Sequence, residues 1–339
     1  MTCPESRSPA GSVPLPRTRR GFIRDVALAS AATVGAAALA PASAPPAGQD
    51  RPTSSGDGRL PKGKIGNLEI SRLIFGGNIT SAWMHARDLS YVPLLARHYN
   101  TDQKILDTFA LAESHGIDAI VGDAVAMLRH TQRYRDQRGG RMKVIGWFFY
   151  DSDEDRMRRA IASYAEQGAS ALLLNGCSAE DLLRIHGPKG ANLIAKAAEI
   201  VRQAKVPFGV GAHALEVVQT CERHGGIAAD FYLKTLHHHQ YPTAPRPEQI
   251  KEPYAEVPGY WCRDPKAVIR AMEEVKKPWI AFKILAAGAI PPREAFRYAF
   301  RNGADFICVG MFDFQVEQNC RLAQEALRDG TRRKRPWCA

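Results

Sequence analysis

Residues 279–311 read WIAFKILAAGAIPPREAFRYAFRNGADFICVGM, and this stretch decides the fold. Trp279 to Leu285 is short, apolar and bounded by turn residues, as a strand covered on both faces requires. Pro291 then stands where prolines start helices, and PPREAFRYAFRNGA keeps a helical apolar spacing up to Gly303, a helix-stop residue. Asp305 to Met311, DFICVGM, is a second apolar strand.

The same alternation runs back through the chain. The earlier strand candidates are LIFGGN (Leu73 to Asn78), DAIVGD (Asp118 to Asp123), KVIGWFFY (Lys143 to Tyr150), ALLLNG (Ala171 to Gly176), PFGVGAH (Pro207 to His213) and DFYLKTLH (Asp230 to His237). Each precedes a helical pattern, clearest in KILDTFALAESHG, EDRMRRAIASYAEQGA, GANLIAKAAEIVRQAK and DPKAVIRAMEEVKK. Eight such pairs in about 270 residues predict one α/β domain, a (β/α)8 TIM barrel. The competing fold is a doubly wound open sheet, which the lack of a Gly-rich fingerprint after the first strand disfavours.

Chemistry in such a barrel sits at the C-terminal strand ends, where side-chain alternation selects what faces the axis. That reading turns Asn78, Asp123, Asn175, His213, Tyr232, Lys234 and Lys283 inward, and sends Phe231, Leu233, Ile280, Phe282 and Ile284 toward the helices. A one-residue slip in register would reverse it and send both lysines outward. Two interior lysines on neighbouring strands are costly unless paired or neutral. Their mutual repulsion and desolvation are expected to lower the pKa of one, as a nucleophile or general base requires. Lys234, Lys283, Asp123 and His213 are therefore the candidate catalytic residues. Asn78, Asn175, Tyr232, Trp83, Trp261 and Gly288 are the candidate substrate contacts.

IGNLEISRLIFGGN (Ile65 to Asn78) and HGIDAI (His115 to Ile120) resemble the opening of aldo-keto reductases. The resemblance implies a barrel, but the family's catalytic tetrad does not carry over. Asp123 can match its aspartate, whereas Leu128 stands at the tyrosine position, Phe149 and Tyr150 at the lysine, and Asn175 and Gly176 at the histidine. Ordinary nicotinamide-dependent (NADP) reduction is therefore not expected. LKTLH (Leu233 to His237) and FKILAAGAIPPREAFRYAFRNGADFICVG are similar to the lysine strands of class I aldolases of the deoxyribose-phosphate type. That resemblance implies a Schiff-base lysine at Lys234, a tuning lysine at Lys283 and a turn through Gly288. It departs at Ala287, where the family has a second glycine, and at Asn175, where it has an acid.

His237, His238 and His239 precede a Pro-rich stretch from Tyr241 to Trp261, long enough to cover the barrel mouth as a lid. Asp123, His213 and His237 form an alternative divalent-metal set. Trp83, Tyr254, Tyr260 and Trp261 offer aromatic surfaces suited to sugars and similar rings.

Thr18 to Asp25 reads TRRGFIRD and precedes an uncharged apolar run from Val26 to Ala40. This order matches a bacterial twin-arginine export signal, and the run is too short for a bilayer span. Ala42-Ser43-Ala44 has the small-x-small pattern of a cleavage site, although Pro45 disfavours processing there. The expected organisation is a signal over 1–44, a Pro/Gly/Ser linker over 45–64, the barrel over 65–328 and a basic tail over 329–339. Location is expected to be periplasmic or extracellular. The expected partners are the export machinery and a small-molecule substrate, with membrane contact only through an uncleaved signal.

The net charge is +11, but the basic residues are scattered along helix faces and the tail. That excludes the clustered basic-aromatic surface of a nucleic-acid binder. Seven cysteines show no zinc spacing, and those in apolar elements, such as Cys221 and Cys308, are expected as free thiols. Three functions compete: lysine-based lyase or isomerase chemistry on a small carbonyl or sugar-like compound, a metal-dependent isomerase or hydrolase, and a non-catalytic ligand-binding barrel. Replacing Arg19 and Arg20 by Lys is expected to abolish export, measured by cell fractionation; unchanged export would refute the signal.

Overall fold

A computed structural model of the chain describes residues 60–81, 83–84, 86, 89–256, 261–329 and 333–339. The export signal and most of the linker lie outside the described residues. β1 (Lys62–Ile65) and β2 (Leu68–Ser71) pair as an antiparallel hairpin. Eight further strands follow: β3 (Leu73–Gly76), β4 (Ala119–Asp123), β5 (Lys143–Phe148), β6 (Ala169–Leu174), β7 (Phe208–Ala212), β8 (Phe231–Thr235), β9 (Trp279–Phe282) and β10 (Phe306–Val309). They close into a parallel barrel in chain order, β10 pairing with β3. The TIM barrel read from the sequence is the fold.

The helices are α1 (Val92–Tyr99), α2 (Asp102–Ser114), α3 (Ala124–Arg138), α4 (Glu154–Glu166), α5 (Gly176–His186), α6 (Pro188–Gln203), α7 (Leu215–Arg223), α8 (Pro265–Glu274), α9 (Pro292–Arg301) and α10 (Asp313–Asp329). None of the described helices is long and apolar enough to cross a membrane. Local chemistry fixes several starts. Asp264 caps α8 by accepting from the Ala267 N–H, with Pro265 at the first helical position. Asp123 and Asn175, the last residues before α3 and α5, cap them in the same way.

The core has two layers. Outside the barrel, Phe75, Leu172, Val210, Tyr232, Trp279 and Ala281 pack under helix residues such as Phe109, Ile194, Val201 and Phe296. Inside it, Ile74, Val121, Trp147, Leu173, Phe231, Leu233, Ile280 and Phe306 fill the axis together with Ile65 and Ile70 of the hairpin. The hairpin closes the N-terminal end; a Cβ on Gly63 would stand 2.9 Å from the Phe306 ring. Leu60 is buried in the core and Lys62 opens β1, both inside the segment expected to be linker.

The C-terminal tail is a strap rather than a solvated basic run. Arg335 is buried and donates to the carbonyls of Met272 (2.7 Å), Gly303 (2.8 Å), Val275 (3.1 Å) and Lys277 (2.7 Å) and to Asp305 Oδ2 (2.6 Å). Arg333 lies 3.3 Å from Asp305 Oδ1, and Asp305 also accepts the Trp279 and Cys338 N–H groups. The guanidinium groups of Arg72 and Arg333 pack on Trp337 at 4.0 and 3.7 Å. Arg335→Ala leaves a buried carboxylate and four carbonyls without this donor. It should cost about 3–5 kcal/mol in urea unfolding; a loss below about 1 kcal/mol would show the strap to be dispensable.

Candidate functional site

Residue pairing across the barrel sets which side chains reach the mouth. Gly209 faces the axis, since a Cβ there would stand 2.3 Å from Phe231, and His213 continues that face beyond Gly211. Asp123 and Asn175 likewise continue the faces of Val121 and Leu173. Asn78 continues the axis-facing parity of Ile74 and is half-buried.

β8 and β9 reverse the sequence expectation. Phe231, Leu233, Ile280 and Phe282 pack inside the barrel, while Tyr232, Trp279 and Ala281 pack outside; Ile284, beyond the strand, lies in the outer layer as expected. Tyr232 points to α7 and donates to Glu222 Oε1 at 2.6 Å, so it is not at the mouth. Lys234 pairs in register with Ala212 and Ala281, both in the outer layer. Its buried ammonium donates to the carbonyls of His213 (2.6 Å) and Thr235 (3.1 Å). The expected pair of inward lysines therefore does not form.

Lys283 reaches the mouth by another route. β9 stops at Phe282, and Lys283 takes φ +56°, a left-handed conformation rare for a residue with a Cβ. The alternation ends there. Lys283 Nζ sits 5.6 Å from the centroid of the inward Phe282 ring. Ala286, Ala287 and Gly288 are also left-handed, forming a tight turn after the C-terminal end of β9 in which Gly288 is exposed. The Lys283 carbonyl accepts from the Ala286 N–H and from His237 Nδ1, each at 3.0 Å.

Glu180 was not singled out from the sequence, yet it organises the site. It is buried on the first turns of α5, three residues after Cys177. Its Oε1 accepts the N–H groups of His213 (2.5 Å) and Ala214 (2.7 Å), and its Oε2 lies 3.0 Å from His213 Nδ1. With the Glu180 oxygen accepting at this position, His213 Nδ1 is the nitrogen that carries the proton. Nε2 then carries the lone pair and has no hydrogen bond among the described residues. Gly176 allows the close approach, since a Cβ there would lie 3.1 Å from His213 Cε1. The His213 and Phe282 rings stand 5.4 Å apart.

The electrostatics follow from burial. Desolvation lowers Lys283 to about 8, against smaller upward pulls from Cys177 and Glu180. Repulsion from Lys234 is not the cause. His213 is lowered by burial and then by the Lys283 charge, with Glu180 opposing. The Cys177 thiol is raised, mainly by burial and then by Glu180.

The other candidates have structural duties. Asp123 Oδ1 accepts the Ala126 N–H at 2.8 Å, and Asn175 Oδ1 the Cys177 N–H at 2.9 Å. Trp83 is exposed on the segment after β3, and Trp261 is half-buried beside Cys262. His237 accepts the Cys262 N–H at Nε2 (3.1 Å) and uses Nδ1 on Lys283, so neither nitrogen is open to a metal. His239 Nε2 donates to the Cys262 carbonyl at 2.6 Å, and the long loop is thereby stitched to the Lys283 turn.

Cys177, Glu180 and His213 place potential ligand atoms within 4.8 Å of one another. A divalent ion would have to displace the Glu180–His213 bond beside the Lys283 amine, so this set fits an ion poorly. Nor does the nicotinamide set fit, because Leu128 is packed in the outer core. All six cysteines from Cys177 onward are free. Two surface clefts, of about 630 and 390 Å³, lie outside this constellation and contain neither Lys283 nor His213.

No family model matches the chain, and no curated relative matches it. Solved structures do. A protein assigned as an aldo-keto reductase from Pseudomona aeruginosa superposes with a TM-score of 0.53 at 18% identity, covering 80% of this chain and 96% of that one. An aldo-keto reductase enzyme from a Medee basin deep-sea metagenome library gives 0.49 at 11% identity, covering 81% and 96%. A truncated 3-deoxy-D-arabino-heptulosonate 7-phosphate synthase from Thermotoga maritima gives 0.46 at 13% identity, covering 80% and 92%. At these identities the likeness is one of fold: an eight-stranded barrel that also serves reductases and synthases.

Burial holds the pKa of His237 down at about 3 and lowers that of His213, so both are neutral in the folded protein at neutral pH. The unfolded chain protonates them near 6.5, so their stabilisation is present above that pH and lost below it. Chemical denaturation should show stability falling from pH 7 to pH 5, with His237 contributing ~2 kcal/mol of the fall. His237→Gln should remove that share of the slope; an unchanged slope would contradict the neutral, doubly bonded His237.

Proposed function

We propose that this chain is an exported barrel enzyme in which Lys283 acts as an amine on a small carbonyl compound, in lyase or isomerase chemistry. The observation that carries the reading is the left-handed turn that sets the Lys283 amine beside the Glu180–His213 pair, in a site where burial brings its pKa to about 8. An amine so poised is about one-tenth uncharged at pH 7 and about half uncharged near pH 8, and that form can attack a carbonyl carbon. In that step the nitrogen lone pair forms the C–N bond, the C–O bond breaks, and the oxygen takes up the two protons the amine gives up and leaves as water. His213 Nε2 is the group that accepts and returns the proton. Glu180 is a positioning residue, fixing the tautomer and ring orientation of His213. The aldolase-like strand sequences support this chemistry, with the roles exchanged: Lys283 reacts and Lys234 braces the His213 and Thr235 carbonyls. The TRRGFI motif supports twin-arginine export and a site of action outside the cytoplasm.

Borohydride reduction in the presence of an aldehyde should leave a stable adduct on Lys283, seen by peptide mass spectrometry. Lys283→Met should abolish it. The adduct yield should rise with pH through about 8, as the amine loses its proton. Lys283→Met should also stabilise the fold by ~2 kcal/mol at pH 7. Between about 8 and 10.5 the unfolded chain holds the proton that folded Lys283 has lost, so wild-type stability rises with pH and the variant's advantage shrinks. An adduct on Lys234 instead, or none with any aldehyde, would overturn the assignment.

A further inference from the structure

The axis-facing residues beneath Lys283 bear on what kind of carbonyl compound the site takes. Val121, Trp147, Leu173 and Leu233 face inward, with Phe282 and Cys308 packed against them. Phe282 and Cys308 are half-buried, and Phe149 is exposed, edge-to-face with Trp147 at 5.3 Å between centroids. The Trp147 indole N–H is the one strong hydrogen-bond donor in this set. Lys283 stands on the turn after β9, and His213, Asn175 and Cys177 where β7 and β6 end, while Asp123, beside Trp147, and Asn175 each commit an oxygen to a helix cap.

A polyhydroxylated body laid on this floor would lose its hydrogen bonds to water and regain few, which costs binding. Among the described residues a phosphate ester would meet no fixed cation. The inward positions hold no arginine, Lys234 is turned to the outer layer, and Lys283 is uncharged when it attacks. The nearby carboxylates of Asp123 and Glu180 would repel it further.

We infer that the substrate is a carbonyl compound with an apolar body, aromatic or branched aliphatic. That body rests on Trp147, Phe149 and Phe282 while the carbonyl carbon meets Lys283. The inference depends on Lys283 being the reacting amine.

The test is a competition. The full chain is incubated at about pH 8 with cyanoborohydride and, in turn, phenylacetaldehyde, acetaldehyde, glyceraldehyde and glyceraldehyde 3-phosphate. Adducts on Lys283 are counted by peptide mass spectrometry and divided by those on Nα-acetyl-lysine amide in the same tube, which removes intrinsic reactivity. The normalised yield should favour phenylacetaldehyde by about tenfold or more over the other three. Phe282→Ala and Trp147→Leu, which alter opposite sides of the floor, should each reduce that preference severalfold while adducts still form. Equal yields, or a preference for glyceraldehyde or its phosphate, would overturn the substrate class and leave Lys283 as the reacting amine. Preference unchanged in both variants would remove the floor as its cause. Absence of any Lys283 adduct would instead remove the reading on which the inference rests.

Discussion

The site depends on a backbone constraint: a lysine held at φ +56° where β9 ends. Had the strand continued its alternation, Lys283 would have followed Trp279 and Ala281 into the helix layer. The left-handed conformation turns it toward Phe282 and His213 instead. For a residue with a Cβ this conformation costs roughly 1–2 kcal/mol, and the surroundings must hold it. His237 and the Ala286 N–H do so by donating to the Lys283 carbonyl, and Cys262 in turn fixes the His237 ring. The loop after β8 thus helps to hold the conformation of the Lys283 turn.

The second constraint is the buried Glu180. One carboxylate serves two backbone N–H groups and one imidazole, joining the start of α5 to the end of β7. Lys234 tightens the same corner from outside the barrel through the His213 carbonyl. The two lysines consequently have different duties. One anchors the strand ends that carry the histidine, and the other presents its amine to the mouth. Far below, Asp305 with Arg333 and Arg335 ties the chain end to the N-terminal side of β9 and β10, leaving the mouth free of that load.

The strands were legible in the sequence because each is a short apolar run between turn residues. Facing was legible only where one parity carried glycine or a polar end. In β7, Gly209 and Gly211 mark the axis side; in β4 and β6, Asp123 and Asn175 do. In β8 and β9 the axis and the helix layer are equally apolar, so Phe231 against Tyr232, or Ile280 against Ala281, gives no contrast by alternation. The outward turn of Tyr232 depends on Glu222, a partner that no strand pattern contains. Glu180 did leave a signal, an acid three residues after Cys177 at the start of the helix that follows a barrel strand. The tail misled because arginines buried by backbone carbonyls look, as composition, like a solvated basic run.

The most direct measurement is the relative amine reactivity of the two lysines. Trace acetylation of the native protein across pH, read by peptide mass spectrometry, reports the reactive amine fraction at each. On this account Lys283 half-titrates near 8, while Lys234, fully enclosed, stays unmodified until the protein unfolds. Lys283 titrating at its ordinary value near 10.5, or Lys234 proving the more reactive of the two, would contradict it.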